Sequence, residues 1–252
     1  YIDFISRFFE LEKKPKGSKS KKLYLREIAT FDFETTNIPV TEVSFVYAWG
    51  FCFAGYRIIG RTLQSFDEFM KKLSIALGEK TLLCFAHNLA FDWTYVSGIY
   101  QFKSEDCFFT DPRKILKCDY RQIELRCSYL LTGLSLLNFT REMNVKHKKL
   151  SGEKFDYSKE RIPQDGLKKY QIDYLDSDCV GLWEALKKFM KDETVYTLPL
   201  TKTGFVRRDL KRAVSKLPYG FRKDWQILNH MRLVNWLFVV AILTQIGTIH
   251  LL

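Results

Sequence analysis

The 252-residue chain has no Cys-x-x-Cys pair, and its six cysteines (52, 84, 107, 118, 127 and 179) are nowhere closely spaced. That pattern argues against a zinc site or a disulfide framework and reads as reduced, intracellular core thiols. No secretory leader pattern opens the chain, so secretion is not expected, and no internal repeat is present. Acid is the scarcer charge: 29 Asp and Glu stand against 40 Lys and Arg. Such a surplus favours a polyanionic partner over an acidic small molecule. What is plentiful is apolar and aromatic side chain, 46% and 15%, enough for a sizeable core in one large domain with or without appendages. The first residue is Tyr1 rather than Met, as in a fragment of a longer chain.

In chain order, residues 1–11 form an aromatic, amphipathic patch of short-helix type. Lys13 to Lys22 carries six lysines with Pro15, Gly17 and Ser18, a basic linker for which a solvated loop is the plainer reading and a DNA-touching arm the alternative. Leu23 to Phe53 is strand-like in two runs. Ser65-Phe66-Asp67-Glu68 predicts a capping box, with Phe66, Phe69, Met70, Leu73 and Leu77 on one helix face and Gly78 as its stop. Thr81 to Ala86 predicts a buried strand, followed by a loop opening a second helix at Asp92. Further strands are expected near 107–109, 115–116 and 123–127, and a short helix within 133–143. Residues 141–161 read as an exposed basic excursion, and 165–191 as a long amphipathic helix. This alternation predicts an α/β domain with a mixed sheet.

Within the first strand run, Asp32 and Glu34 are two residues apart, so both carboxylates share one face while Phe31 and Phe33 enter a core. Paired carboxylates repel unless a cation lies between them, and oxygen donors suit hard ions such as Mg²⁺ or Mn²⁺. Alone, the pair is an ordinary acidic edge. Asp92 at the second helix and Asp178 in the long helix change that, because four carboxylates from separate elements can hold two divalent ions for attack on a phosphodiester. Tyr174 stands one helical turn before Asp178, where a hydroxyl can orient or deprotonate water. Asp176 is about 200° away on the same helix and is left out.

These residues carry a resemblance. Phe31-Asp32-Phe33-Glu34-Thr35-Thr36, His87-Asn88-Leu89-Ala90-Phe91-Asp92 and Tyr174-Leu175-Asp176-Ser177-Asp178 resemble the three motifs of DEDD-type 3′–5′ exonucleases, tyrosine subclass. The nearest likeness is to the proofreading domain of protein-primed family B DNA polymerases. Asp156-Tyr157-Ser158-Lys159-Glu160-Arg161 and Ser128-Tyr129-Leu130-Leu131 resemble smaller motifs of that group, with Tyr129 replacing the usual leucine. The resemblance implies a ribonuclease H-like α/β fold over residues 24–215, after an extension at 1–23 and before a divergent polymerase start at 216–252. It implies Asp32, Glu34, Asp92 and Asp178 as ligands of two Mg²⁺ or Mn²⁺ ions, with Tyr174 positioning water. It assigns Thr35, Asn88, Phe91 and Ser128 to a single-stranded DNA 3′ end, Phe91 by stacking. A lysine assists catalysis in the group; Lys148 and Lys149 are the candidates, and sequence does not separate them. His87 reads as a structural loop residue. A terminal protein primer and an intracellular setting, host cytoplasm for a phage or plasmid gene, are further implications.

The polymerase motifs of family B are absent from the chain, so it is not expected to extend a primer. Residues 201–212 resemble the segment leaving the exonuclease domain. The last twenty residues, Leu233 to Leu252, carry no charged side chain. A truncated or frame-shifted end is preferred there, over a strand-rich piece awaiting a partner domain or a membrane span. Two rival functions remain open: a free-standing exonuclease on DNA or RNA, and a non-catalytic nucleic-acid-binding module.

Overall fold

The computed structural model describes residues 2–38, 43–111, 114–151 and 159–216. The chain divides into two units, Tyr1–Lys202 and Thr203–Leu252.

The first unit is built around β1 (Leu23–Ile38), flanked by β2 (Val43–Phe53) and β4 (Lys80–Ala86). With β3 (Tyr56–Gly60), β5 (Cys107–Asp111), β6 (Lys114–Tyr120) and β7 (Ile123–Cys127), they form a sheet ordered β3-β2-β1-β4-β7-β6-β5. The pairs β1–β4 and β4–β7 are parallel and the others antiparallel, the mixed α/β sheet expected from the sequence. β3 was not anticipated; its alternation is short and only partly buried.

Period-two alternation sends Phe31 and Phe33 to one face of β1, where they meet Phe66. That face is covered by α2 (Leu63–Leu77) and α3 (Leu89–Ile99); α1 (Ile2–Ile5) adds Ile5 to the same core. Phe66, Met70, Leu73 and Leu77 of α2 are fully buried, each contributing about 1.5–3 kcal/mol by leaving water. The other face is covered by α6 (Lys169–Phe189), whose Leu175, Cys179 and Val180 pack on Cys52. Thr30 ties the two, its hydroxyl donating to the Cys179 carbonyl at 2.8 Å. Two short helices, α4 (Ser128–Thr132) and α5 (Leu136–Glu142), follow β7.

Two helix starts differ from expectation. In α2 the capping box is Thr62 with Ser65, not Ser65 with Glu68. The Ser65 amide donates to Thr62 Oγ1 at 3.0 Å, and the Ser65 hydroxyl lies 3.2 Å from the Thr62 amide. α6 begins at Lys169 rather than Asp165. The Arg61 guanidinium donates to the carbonyls of Ile162 and Asp165, and Gln171 caps the Lys168 amide at 2.8 Å. The basic excursion is exposed at Lys146 and Lys148, but it buries Val145 and Arg161.

All six cysteines are free thiols. In the second unit the described part is the continuation of α7 (Lys202–Ser215), a basic helix with no buried residue. The apolar tail at 233–252 lies outside the described residues, and among those described no helix is long and apolar enough to cross a membrane.

A buried ionic knot fixes the far end of β7. Glu124, 1% exposed, accepts from Lys22 Nζ at 2.5 Å, Arg126 Nε at 2.6 Å and the Tyr24 hydroxyl at 2.6 Å. Burial alone would raise its carboxyl, but Arg126 and Lys22 outweigh that and hold it at about 2. A depressed folded pKa is stability present above the unfolded value and lost as pH falls through the folded one. Glu124→Gln leaves the buried Arg126 unpaired and should cost about 3–5 kcal/mol at pH 7. In denaturant melts that penalty should shrink below pH 4.5 and toward pH 2; a penalty constant with pH would contradict this account.

Candidate metal centre

Asp32 and Glu34 emerge from the face of β1 opposite Phe31 and Phe33, and α6 brings Asp178 down upon them. One carboxylate oxygen from each of Asp32, Glu34 and Asp178 lies within 4.8 Å of the other two. Asp92, in the first turn of α3, is outside that trio but adjoins it. It is 1% exposed, and its Oδ1 accepts the Phe33 amide at 3.2 Å, between the two β1 acids.

The electrostatics are those of a crowded anionic site. Burial, then the charges of Asp178, Asp92 and Glu34, push the Asp32 carboxyl well above its ordinary value. Burial and Asp178 push Glu34 up to about 8, and burial pushes Asp92 to about 8 against the pull of the Phe33 amide. Burial also raises Asp178, with Lys149 opposing. Glu34 Oε1 is buried without a hydrogen-bond partner. An all-oxygen donor set with an orphaned buried oxygen fits a hard divalent cation.

The structure separates the two lysines. Lys148 is exposed, whereas Lys149 Nζ lies 2.5 Å from Asp178 Oδ2 and 3.6 Å from the centre of the Tyr174 ring. Sequence reasoning missed the scaffold that puts it there. The Lys149 amide donates to Thr140 Oγ1 at 3.1 Å, and His147 donates through its backbone amide to Glu184 at 3.0 Å. A Cβ on Gly181 would lie 2.1 Å from the His147 carbonyl oxygen, so only glycine lets this segment close on α6. A glycine inside a predicted helix was the available signal. The Ser177 hydroxyl, 3.0 Å from Asp178 Oδ1, completes the support.

The remaining predicted residues fall around this centre differently. Thr35 is half-buried, just past a register shift between Glu34 and Thr35 at which β2 carries Tyr47 as an extra residue. Such a bulge re-aims neighbouring side chains. Asn88 is exposed at the start of α3 with a left-handed φ of 63°. Phe91 is 46% exposed, its ring edge-on to Tyr95 at 5.5 Å, so a face is open to stacking rather than used in the core. Ser128 is fully buried; its hydroxyl donates to the Ala86 carbonyl at 3.1 Å and sits 3.0 Å from His87 Nδ1. Burial, then Lys149, lowers His87 to about 4, which keeps it neutral near pH 7. Asp176 faces away and pairs with Arg57.

A mixed sheet with helices on both faces is the ribonuclease H-like α/β fold expected from the sequence. Among solved structures, the chain is similar to phi29 DNA polymerase complexed with single-stranded DNA: TM-score 0.60, 15% identity, covering 76% of this chain and 35% of that one. It is also similar to phi29 DNA polymerase in an orthorhombic crystal form: TM-score 0.57, 16% identity, covering 79% of this chain and 38% of that one. A ternary complex of phi29 DNA polymerase with primer-template DNA and incoming nucleotides gives 0.56 at 15% identity, over 79% and 38%. The chain thus spans little more than a third of these proteins, and at that identity they share its fold. No family model matches the sequence, and no curated protein matches it.

The centre makes the metal-free protein lose stability as pH rises from about 4.5 to about 8. A carboxyl whose folded pKa is raised contributes stability below its unfolded pKa that is lost as pH rises through the folded one. In excess chelator, Glu34→Gln should therefore stabilise the protein more at pH 8.5 than at pH 5, read from denaturant midpoints. Equal effects at the two pH values would show that Glu34 is not held protonated by burial and Asp178.

Proposed function

We propose that this chain carries the 3′–5′ exonuclease of a protein-primed family B DNA polymerase and removes nucleotides from single-stranded DNA 3′ ends. The observation that carries the reading is the carboxylate trio of Asp32, Glu34 and Asp178, with Asp92 beside it and Lys149 and Tyr174 along one edge. The fold shared with a DNA polymerase, solved with single-stranded DNA in one case, supports it.

Two Mg²⁺ or Mn²⁺ ions held by Asp32, Glu34, Asp92 and Asp178 would supply an activated water and charge neutralisation at the phosphate. Tyr174 orients that water for in-line attack on the last phosphodiester. The new bond is between water oxygen and phosphorus; the bond broken is from phosphorus to the 3′ oxygen of the preceding nucleotide, which takes up a proton. A nucleoside 5′-monophosphate leaves. The Lys149 ammonium offsets negative charge at Asp178, and its place over the Tyr174 ring fixes both groups together. Phe91 stacks on a terminal base and Asn88 borders it at the mouth of α3. Thr35 contacts the strand, while Ser128, being buried, acts by orienting His87.

Purified protein should shorten a labelled single strand from its 3′ end only with Mg²⁺ or Mn²⁺ present. Joint Asp32→Ala and Glu34→Ala replacement should abolish this without loss of fold. Full activity in excess chelator, or cleavage of circular single strands, would exclude the mechanism.

Tyr174→Phe should slow hydrolysis about 10-fold to 1000-fold while keeping metal affinity, since only the water-orienting hydroxyl is lost. Isothermal titration with Mn²⁺ separates the roles. Loss of affinity as severe as in Asp178→Ala would place Tyr174 among the metal-holding groups.

A further inference from the structure

Beside the carboxylate centre lies a concavity of about 330 Å³, whose walls include Tyr47, Arg61, Lys159, Arg161, Lys168 and Tyr170. Its volume is at the lower end for small-ligand sites, about 300–1,000 Å³, and suits a phosphate with its sugar. Four cationic side chains line it against two carboxylates, Glu160 and Asp165. Arg61 builds the wall: its guanidinium donates to the backbone carbonyls of Tyr47, Ile162 and Asp165. Lys159 and Lys168 are exposed at the rim, and Arg161, 5% exposed, is inside.

Two observations point to an anionic ligand rather than a solvated basic face. The Tyr47 hydroxyl, on a residue 1% exposed, meets no partner at hydrogen-bonding geometry; the Gln171 side chain is the polar group alongside it. A buried donor left this way costs about 1–3 kcal/mol unless something binds it. The pocket also takes in the first turn of α6, 21 residues long, whose amino end favours negative charge.

The cavity adjoins the metal centre through its own residues. The Arg161 amide donates to Thr36 Oγ1 at 3.1 Å, and the Arg161 charge bears on Glu34. Tyr47 is the extra residue of β2 opposite Glu34 and Thr35. We propose that this cavity is a phosphate-binding site serving the nuclease centre. It rests on the nuclease reading for its role, though not for its ligand class. The phosphate has two possible sources, the released nucleoside monophosphate or the phosphodiester next to the one being cut.

The test uses the intact chain in chelator, with inorganic phosphate, thymidine 5′-monophosphate and a short oligothymidylate as probes in titration calorimetry. Lys159→Ala with Lys168→Ala, both exposed, should weaken binding of phosphate-bearing probes about 10-fold or more. Tyr47→Phe changes no net charge and removes a buried hydroxyl without a partner, so it should hold or raise the melting temperature of the ligand-free protein while weakening the same binding several-fold. Loss of monophosphate binding in both variants assigns the released nucleotide. Loss only for oligothymidylate, abolished for wild type by a neutral methylphosphonate at the penultimate linkage, assigns the neighbouring phosphodiester. Wild type that binds none of the probes at about 10 mM, or variants that bind them as wild type does, overturns the proposal. Strand shortening by the same wild-type preparation with Mg²⁺ is scored separately, so an inactive protein that still loses phosphate binding in the variants sinks the nuclease role and leaves the phosphate site standing.

Discussion

The first unit is arranged around an unfavourable contact, the confinement of like charges on one face of β1. Strand geometry makes Asp32 and Glu34 neighbours on that face whatever else the chain does. Burying them would normally be avoided, since removing one carboxylate from water costs several kcal/mol and a second adds repulsion. Yet α6 is laid directly across this face, and it brings another acid, Asp178, into the group. The apolar contacts of Leu175, Cys179 and Val180 on Cys52 hold the helix there, together with the Thr30 bond to its backbone. Hydrophobic packing on one stretch of α6 thus stabilises an electrostatically poor arrangement one turn away. Strain of this kind persists where it serves a site.

How far the centre was legible follows from which interactions are local. The period-two placement of Asp32, Glu34, Phe31 and Phe33 needs only strand geometry, and the Tyr174–Asp178 spacing needs only a helix. Both were readable without a fold. Asp92 was singled out by the Asn88 and Phe91 that accompany it at a helix opening, and it lies beside the trio through its bond to the Phe33 amide. Lys149 could not be separated from Lys148, since the choice depends on Gly181, Thr140 and Glu184 pinning a segment that has no periodicity of its own. The α2 start was misplaced by three residues because Thr62 and Ser65 are both good cap residues, and the tertiary bond from Trp49 Nε1 to Ser65 Oγ at 2.9 Å favours Ser65 inside the helix. The late start of α6 likewise depends on Arg61, about a hundred residues earlier in the chain. Long-range partners decided what local pattern left open.

The same limit explains why the fold is recognisable where the sequence is not. At 15% identity with phi29 DNA polymerase, the sheet and its crossing helices persist. Most positions in such a core ask only for apolar volume, and many sequences satisfy that. The positions that bear the site's chemistry are few: two alternating acids on one strand, an acid at a helix opening, a tyrosine and an acid one turn apart. Their order along the chain and their convergence in space carry more information than overall similarity. The convergence gives the nuclease reading its physical basis, because it assembles residues that no single element could supply.

A comparison within the molecule sharpens the distinction between supporting and reacting groups. Glu124 and Glu34 are chemically identical and both lie on strands of one sheet. Glu124 is held at about 2 by Arg126 and Lys22, while Glu34 is pushed up to about 8 by burial and Asp178. The first has its charge balanced by protein and its oxygens filled by donors, so it has nothing left to offer a ligand. The second has an oxygen with no partner, and the two cations that bear on it, Lys149 and Arg161, leave its carboxyl raised. A protein that can neutralise a buried carboxylate so completely at one place does not fail to do so at another for lack of basic residues, of which this chain has 40. Lys149 reaches Asp178 but leaves the carboxyls of Asp32, Glu34 and Asp178 raised, and this oxygen-rich trio is compatible with a divalent cation.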